Sequence, residues 1–263
     1  MARIVRYRDG RGRHHYGGLS ADGTRIHEFP GGLYGDRRPG PSRPAAEAHV
    51  VAPVEPSKIL AVGHSHPAAR QAPNGTCRSE PLIFHKTPNT VTGPQAPIVC
   101  PPGTDTVDVS GELAVVIGRR ARHLTESEAL DYVLGYTCAN DVGVRAWMDR
   151  DSQWFRAKST DTFCPLGPWI TPPHGRDPHT LRITVAVNGT VELDGSTAEL
   201  AWTIPQVLAY ITRYATLEPG DTVLMGSPSG LATATCGDTV AVTVEGIGTL
   251  VNTVVAHSAR RAA

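Results

Sequence analysis

The chain lacks most of the features that would settle its class at a glance. Of its 263 residues only 6% are aromatic and 19% charged, and 25 Lys+Arg stand against 25 Asp+Glu. That balance excludes the polybasic footprint of a nucleic-acid-binding surface and a long acidic tail. The paired arginines near the two ends, Arg11 with Arg13 and Arg260 with Arg261, read as solvated termini. No apolar run approaches the roughly 20 residues of a membrane-spanning helix, and Met1-Ala-Arg-Ile-Val-Arg has no secretory pattern. The five cysteines are odd in number and show no C-x-x-C spacing, which argues against a disulfide framework or a zinc knuckle. Cys138 and Cys164 therefore read as buried free thiols. The expectation is a cytoplasmic enzyme or binding protein that takes a small molecule, with no nucleic-acid or membrane partner.

What the chain does have is glycine and proline, 27 and 22 of them. With modest charge and no repeats, that composition predicts many short strands and turns. A first strand is expected at Arg3–Tyr7, followed by turn-rich sequence to Pro44. A second domain opens with the buried strand Ile59–Gly63, which places a boundary near Pro53–Pro56 and divides the chain into residues 1–55 and 56–263. Leu113–Ile117 is a short continuous apolar strand. Thr125 and Glu128 have capping-box spacing and predict a short helix through Tyr132. Leu181–Val187 alternates and stops at Asn188-Gly189, a hairpin signal. Ile204–Tyr214 has helical spacing with Pro205 in the tolerated first turn. Thr239–Val244 alternates again before Glu245-Gly-Ile-Gly248, a bulge or tight turn. No G-x-G-x-x-G appears. The fold class read from these signals is mainly β, a mixed β-roll or β-sandwich with a few short helices and a small N-terminal β domain.

Chemistry-bearing residues concentrate between Asp108 and Trp169. Ser110 and Glu112 are two apart on a strand and share one face. Asp141 follows in the loop Asn140-Asp-Val-Gly-Val-Arg145, and Lys158 opens Lys-Ser-Thr-Asp-Thr-Phe163. Oxygen donors in this pattern suit hard cations, and Mg²⁺ often binds through one or two carboxylates plus water. The plainer alternative is that Glu112 and Asp141 are polar ends of a strand and a turn. Asp161 has two readings, a partner for Lys158 or a backbone cap. Gly226-Ser-Pro-Ser-Gly230 is not a nucleophile elbow, because Pro228 occupies the position where serine is needed.

These stretches together resemble the fumarylacetoacetate hydrolase superfamily, whose members cleave, decarboxylate or tautomerise 2-oxo acids and 1,3-dicarbonyls on a divalent metal. The resemblance runs from Pro56-Ser-Lys-Ile-Leu to Gly246-Ile-Gly-Thr-Leu and implies the same β-roll fold, a homodimer, and Mg²⁺ or Mn²⁺ as cofactor. It implies metal ligation by Glu112 and Asp141, with Ser110 standing where the family has the first glutamate of E-G-E. Lys158 and Arg145 would face the substrate as catalytic cations, and Ser227, Gly226 and Gln153 would bind it. Phe84-His85-Lys86 is read as lining the core edge. One segment departs from the pattern. Where the family reads V-G-x-N-Y-x-x-H-x-x-E, this chain has Val62-Gly-His-Ser-His66 and then Ala69 and Ala72 at the histidine and glutamate positions. Met148 replaces a family glutamine. His64 is a candidate substitute metal ligand and His66 a candidate proton carrier, since imidazole titrates near neutrality; the alternative is two half-exposed loop histidines. The leading function is metal- and lysine-assisted enolate chemistry, by a decarboxylase, tautomerase, isomerase or C–C hydrolase. The alternative is a metal-free divergent member, repurposed for another metabolite or acting as a binding protein.

Overall fold

The computed structural model describes residues 3–66, 79–173 and 175–257; Ala69 and Ala72 lie outside the described residues. The chain begins with β1 (Arg3–Arg8), β2 (His14–Leu19), β3 (Arg25–Glu28), β4 (Ser42–Pro44) and β5 (His49–Val50). Next come β6 (Ile59–Gly63), β7 (Leu82–Lys86), β8 (Val91–Thr92), β9 (Ile98–Val99), β10 (Thr106–Val109), β11 (Gly111–Ile117) and β12 (Val133–Asn140). Two short helices, α1 (Arg145–Arg150) and α2 (Phe155–Lys158), precede β13 (Cys164–Thr171). The hairpin β14 (Arg182–Val187) and β15 (Thr190–Ser196) leads to α3 (Ile204–Tyr214). The last strands are β16 (Thr222–Leu224), β17 (Ala232–Thr235), β18 (Thr239–Val244) and β19 (Gly248–Val255). The expected mainly β fold is what the structure shows.

The large sheet runs β4-β3-β2-β1-β13-β12-β11-β16-β6-β7, and a second sheet runs β15-β14-β18-β19-β9. The N-terminal strands join the large sheet through β1 beside β13, with Ile4 opposite Ile170. At the centre, β11 is buried along its whole length, and the period of two explains why its apolar run is continuous. Leu113, Val115 and Ile117 enter one core with Ile183, Val185, Val240 and Val242 of the second sheet. Ala114 and Val116 enter another with Ile4, Ile59, Leu166 and Ile170. Glu112 lies on the second of these faces, at the end of a strand with no freedom to slide.

Local signals acted largely as read. Asn188 and Gly189 both adopt positive φ, 51° and 84°, the pair a tight hairpin turn requires. Helix α3 spans the expected residues, and its entry is fixed by a reciprocal Thr203–Gln206 capping box with Pro205 in the first turn. The 125–132 segment differs from expectation. Thr125 donates its hydroxyl to Glu128 at 2.6 Å, so the pair satisfies itself, and only a 3-10 turn at Ala129–Tyr132 forms, without a side-chain cap.

The Leu217-Glu-Pro-Gly-Asp221 stretch is a structural tie. Asp221 is wholly buried and accepts from Ser57 Oγ at 2.7 Å, Lys58 N at 3.1 Å and Glu218 N at 2.7 Å. Lys58 Nζ closes an ion pair on it. These bonds fasten the parallel pairing of β16 with β6, in which Leu224 stands opposite Ala61. Removing a buried acid with several partners leaves each partner unsatisfied. Asp221→Ala should therefore lower unfolding stability by about 3 kcal/mol, read from guanidinium midpoints; a loss under about 0.5 kcal/mol, the surface-substitution scale, would show the tie to be dispensable.

Candidate active site

A cavity of about 220 Å³ opens where the ends of β6, β7, β11 and β12 converge with α1, α2 and the 226–231 loop. Its polar wall holds Ser110, Glu112, Asp141, Lys158, Arg145 and Ser227, with His64 and His66 above. A larger cavity of about 860 Å³ lies against β1–β3, lined by Arg3, Ile4, Leu19, His27 and Phe29 among others. Among the described residues it holds no carboxylate or lysine on its wall, so size does not decide the site and the smaller cavity is the chemical one.

The floor is built around Asp141, which follows β12 directly. Lys86 Nζ donates to Asp141 Oδ1 at 2.7 Å, and Lys158 Nζ donates to Oδ2 at 2.5 Å. Lys86, at the end of β7, is wholly buried and also donates to the Val142 carbonyl at 3.2 Å. It lies at the core edge behind the cavity wall and is joined to the site through Asp141. The signal was available, because a lysine inside an apolar β-rich stretch is almost never fully buried without a partner. Lys158 ends α2, its backbone N–H donating to the Trp154 carbonyl at 2.8 Å. Gly143 is what lets it lie so close: a Cβ there would stand 3.1 Å from Lys158 Nζ. Burial by itself would raise the Asp141 carboxyl, but the Lys158 and Lys86 charges outweigh it and hold the group below the usual carboxylate range. Burial pushes Lys86 down, and Asp141 pulls it partly back.

Glu112 is the second acid. It is buried, and Gly226 N donates to its Oε2 at 2.6 Å. Gly226 sits at φ +88°, and a Cβ would meet Ser65 Oγ at 2.0 Å, so only glycine lets the amide reach the carboxylate. Burial, with Asp141 beside it, pushes Glu112 up to about 8 against the pull of Lys158, the Gly226 amide and Lys86. The paired carboxylates thus separate into one held ionised and one held protonated near neutrality.

Ser110 lies in the break between β10 and β11 and donates its hydroxyl to the Gly230 carbonyl at 3.3 Å. Ser227 Oγ is buried with no hydrogen-bond partner among the described residues, an orphan of the kind a ligand satisfies. Arg145 begins α1, where its N–H donates to Asp108 Oδ2 at 2.6 Å. Its guanidinium forms no ion pair with the described residues. His64 holds a left-handed φ of 51° and packs edge-on to Trp154, centroids 5.9 Å apart. Two expectations need correction. Gln153 is exposed and does not line the cavity; its neighbour Trp154 does. Asp161 partners Asn89 at 2.6 Å rather than Lys158, because Asp141 already holds the ammonium. Cys138 and Cys164 are buried free thiols, each pushed up to about 12 by burial.

Among the described residues no group of three or more His, Cys, Asp or Glu side chains is arranged to hold a metal ion. The described residues therefore build no closed cage, and His64 does not join Glu112 and Asp141 in a ready ligand set. Two carboxylates and a hydroxyl remain on one wall, and a carboxylate oxygen already accepting one bond keeps a second lone pair. Glu112 is a buried acid that a bound cation would hold in its ionised form. The donors fit a hard cation that keeps most of its water, the mode of Mg²⁺.

Comparison with known proteins agrees with this geometry. The model of the fumarylacetoacetate (FAA) hydrolase C-terminal family matches residues 57–255. Human mitochondrial oxaloacetate tautomerase FAHD2A is 36% identical over 226 residues, covering 82% of this chain and 72% of that protein. The 4-hydroxyphenylacetate degradation bifunctional isomerase/decarboxylase of Salmonella dublin is 40% identical over 178 residues, 67% of this chain and 42% of that protein. The crystal structure of 5-carboxymethyl-2-hydroxymuconate delta-isomerase from Mycobacterium smegmatis superposes with a TM-score of 0.89 at 38% identity, covering 97% of this chain and all of that one.

The raised Glu112 has a consequence for folding. An unfolded glutamate releases its proton near 4.5, whereas the folded one keeps it to about 8. Between those values the native state binds more protons than the unfolded state, so stability falls as pH rises through the window. Glu112→Gln, which stays neutral, should remove that fall in metal-free buffer. Denaturation at pH 5, 6.5 and 8 should show the variant gaining on the wild type step by step; a wild type that gains on the variant instead would mean Glu112 is ionised in the native protein.

Proposed function

Because this chain belongs to the fumarylacetoacetate hydrolase family, we propose that it catalyses a proton shift through the enol of a 2-oxo acid, as a tautomerase or isomerase. The observation that carries the reading is the buried Lys158 ammonium, fixed by Asp141 at 2.5 Å on the wall of a cavity that also holds Glu112 and Ser227. Similar proteins named as oxaloacetate tautomerase, isomerase/decarboxylase and delta-isomerase support it, since tautomerisation, decarboxylation and isomerisation of such acids share an enolate. Alanines at 69 and 72, where the family has its histidine and glutamate, support proton transfer over attack by an activated water.

The substrate carboxylate is received by the Arg145 guanidinium and the unsatisfied Ser227 hydroxyl. Lys158 faces the 2-oxo oxygen, and its ammonium stabilises the negative charge that develops there when the neighbouring carbon loses a proton. Because Asp141 and Gly143 hold the ammonium in place, little reorganisation is needed at that moment. The Lys86 charge keeps Asp141 ionised and so keeps Lys158 oriented. His66 carries the proton to and from carbon, and Glu112, protonated near neutrality, offers a second proton at the floor. A divalent cation held by Glu112 and Asp141 would add Lewis-acid polarisation of the substrate oxygens.

Lys158→Met should lower kcat for enol–keto interconversion by about 10²–10³, the scale for one preorganised oxyanion donor, with KM changed far less. Activity at the wild-type level would remove Lys158 from the mechanism. The metal arm is separate: calorimetry should find weak Mg²⁺ or Mn²⁺ binding in the wild type and tighter binding in Ser110→Glu, which restores a third carboxylate. No binding by either protein would make the site metal-independent.

A further inference from the structure

Resting on that reading, we infer that the site selects a 2-oxo acid whose far end is flat and apolar, an arylpyruvate rather than a dicarboxylate. The cavity wall is mixed. Besides the acids and lysine it carries the half-buried side chains of Phe84, Met148, Trp154 and Leu231. Trp154 meets Phe84 edge to face, centroids 5.3 Å apart and planes at 73°. Lys158 Nζ lies 5.8 Å from the centre of the Phe84 ring. The aromatic pair therefore begins where the reacting carbonyl is bound, and a ring or conjugated chain attached there would run along it in offset or edge contact.

Charge counting points the same way. Of the ammonium and guanidinium groups on the described wall, Lys158 is already paired with Asp141, and only Arg145 has no carboxylate partner among the described residues. One unpaired cation compensates one carboxylate, that of the 2-oxo acid head. A second carboxylate lying along Phe84, Met148, Trp154 and Leu231 would be desolvated, since these four side chains offer no donor apart from one indole N–H. Met148 is the telling position, because it stands in the cavity one helical turn after Arg145, on the wall. A thioether there is soft and adaptable against a ring. The volume, about 220 Å³, lies below the roughly 300–1,000 Å³ of drug-sized pockets and is enough for a tail of a single ring.

The test uses two substrates and two inert analogues. Enol–keto interconversion of phenylpyruvate and of oxaloacetate, measured with the full chain in the presence of Mg²⁺, should differ in kcat/KM by about 10² or more in favour of phenylpyruvate, since placing an unpaired charge in an apolar pocket is penalised far more than a missing methylene. Met148→Arg should narrow or invert that ratio, and Leu231→Arg does the same from another element should the first variant fold poorly. Oxaloacetate turned over as well as phenylpyruvate, or better, overturns the inference and leaves the enol chemistry standing. If neither compound is turned over, the enol chemistry fails, and binding decides the inference by itself. Neither 3-phenyllactate nor malate can enolise, and calorimetry should still find the former bound at least ten-fold tighter. Equal or tighter binding of malate would reject the apolar subsite.

Discussion

Everything at this site hangs on Asp141 being shared by two lysines. Three charged side chains are withdrawn from water at the ends of β7, β12 and α2. Such burial is costly unless the charges are paired and their remaining hydrogen-bonding capacity is used. Here both carboxylate oxygens accept an ammonium proton, and Lys86 finds a further acceptor in the Val142 carbonyl. The cost of opening any one bond is thereby raised, since it would leave a buried charge stranded beside Val142 and Cys164. The benefit is positional: strand β7, strand β12 and helix α2 must meet at one registry, or the triad is not formed. The Lys158 ammonium is then held by buried strands and a helix end rather than by a surface loop.

Much of this was legible in the sequence, and the part that was not has a physical cause. Asn188-Gly189, Pro205 and the Leu113–Ile117 run announced their structures because the deciding interactions are local: positive φ, a fixed first-turn φ, and a side-chain period of two. Glu112, Asp141, Ser110 and Ser227 were recognised by the wording around them, and the structure gathers all four on one wall. The pairing of Lys86 was not legible, because its partner Asp141 lies 55 residues away, which no local pattern encodes. Gln153 failed for a related reason. On the short approach to α2, adjacent residues point in different directions, so a single step in sequence moved the cavity-facing role to Trp154. Thr125 and Glu128 show that spacing alone does not make a cap; the two side chains bonded to each other, leaving the backbone donors unserved.

The substitution of Ser110 for a carboxylate changes the electrostatic character of the whole floor. With Glu112 carrying its proton near neutrality, Asp141 is the one ionised carboxylate set against Lys86 and Lys158. A third acid at position 110 would change that balance. On the proposed reading, Lys158 meets the charge that develops on the 2-oxo oxygen and Arg145 takes the carboxylate. The floor receives a divalent cation only if Glu112 gives up its proton, because ligands must be deprotonated to bind metal. A divalent cation and a proton would therefore compete for the same carboxylate, and pH would decide between them. The positive charge of Lys158 and Arg145 is there in either case. Serine at 110 thus leaves those cations untouched, while any divalent cation would depend on the state of one buried proton.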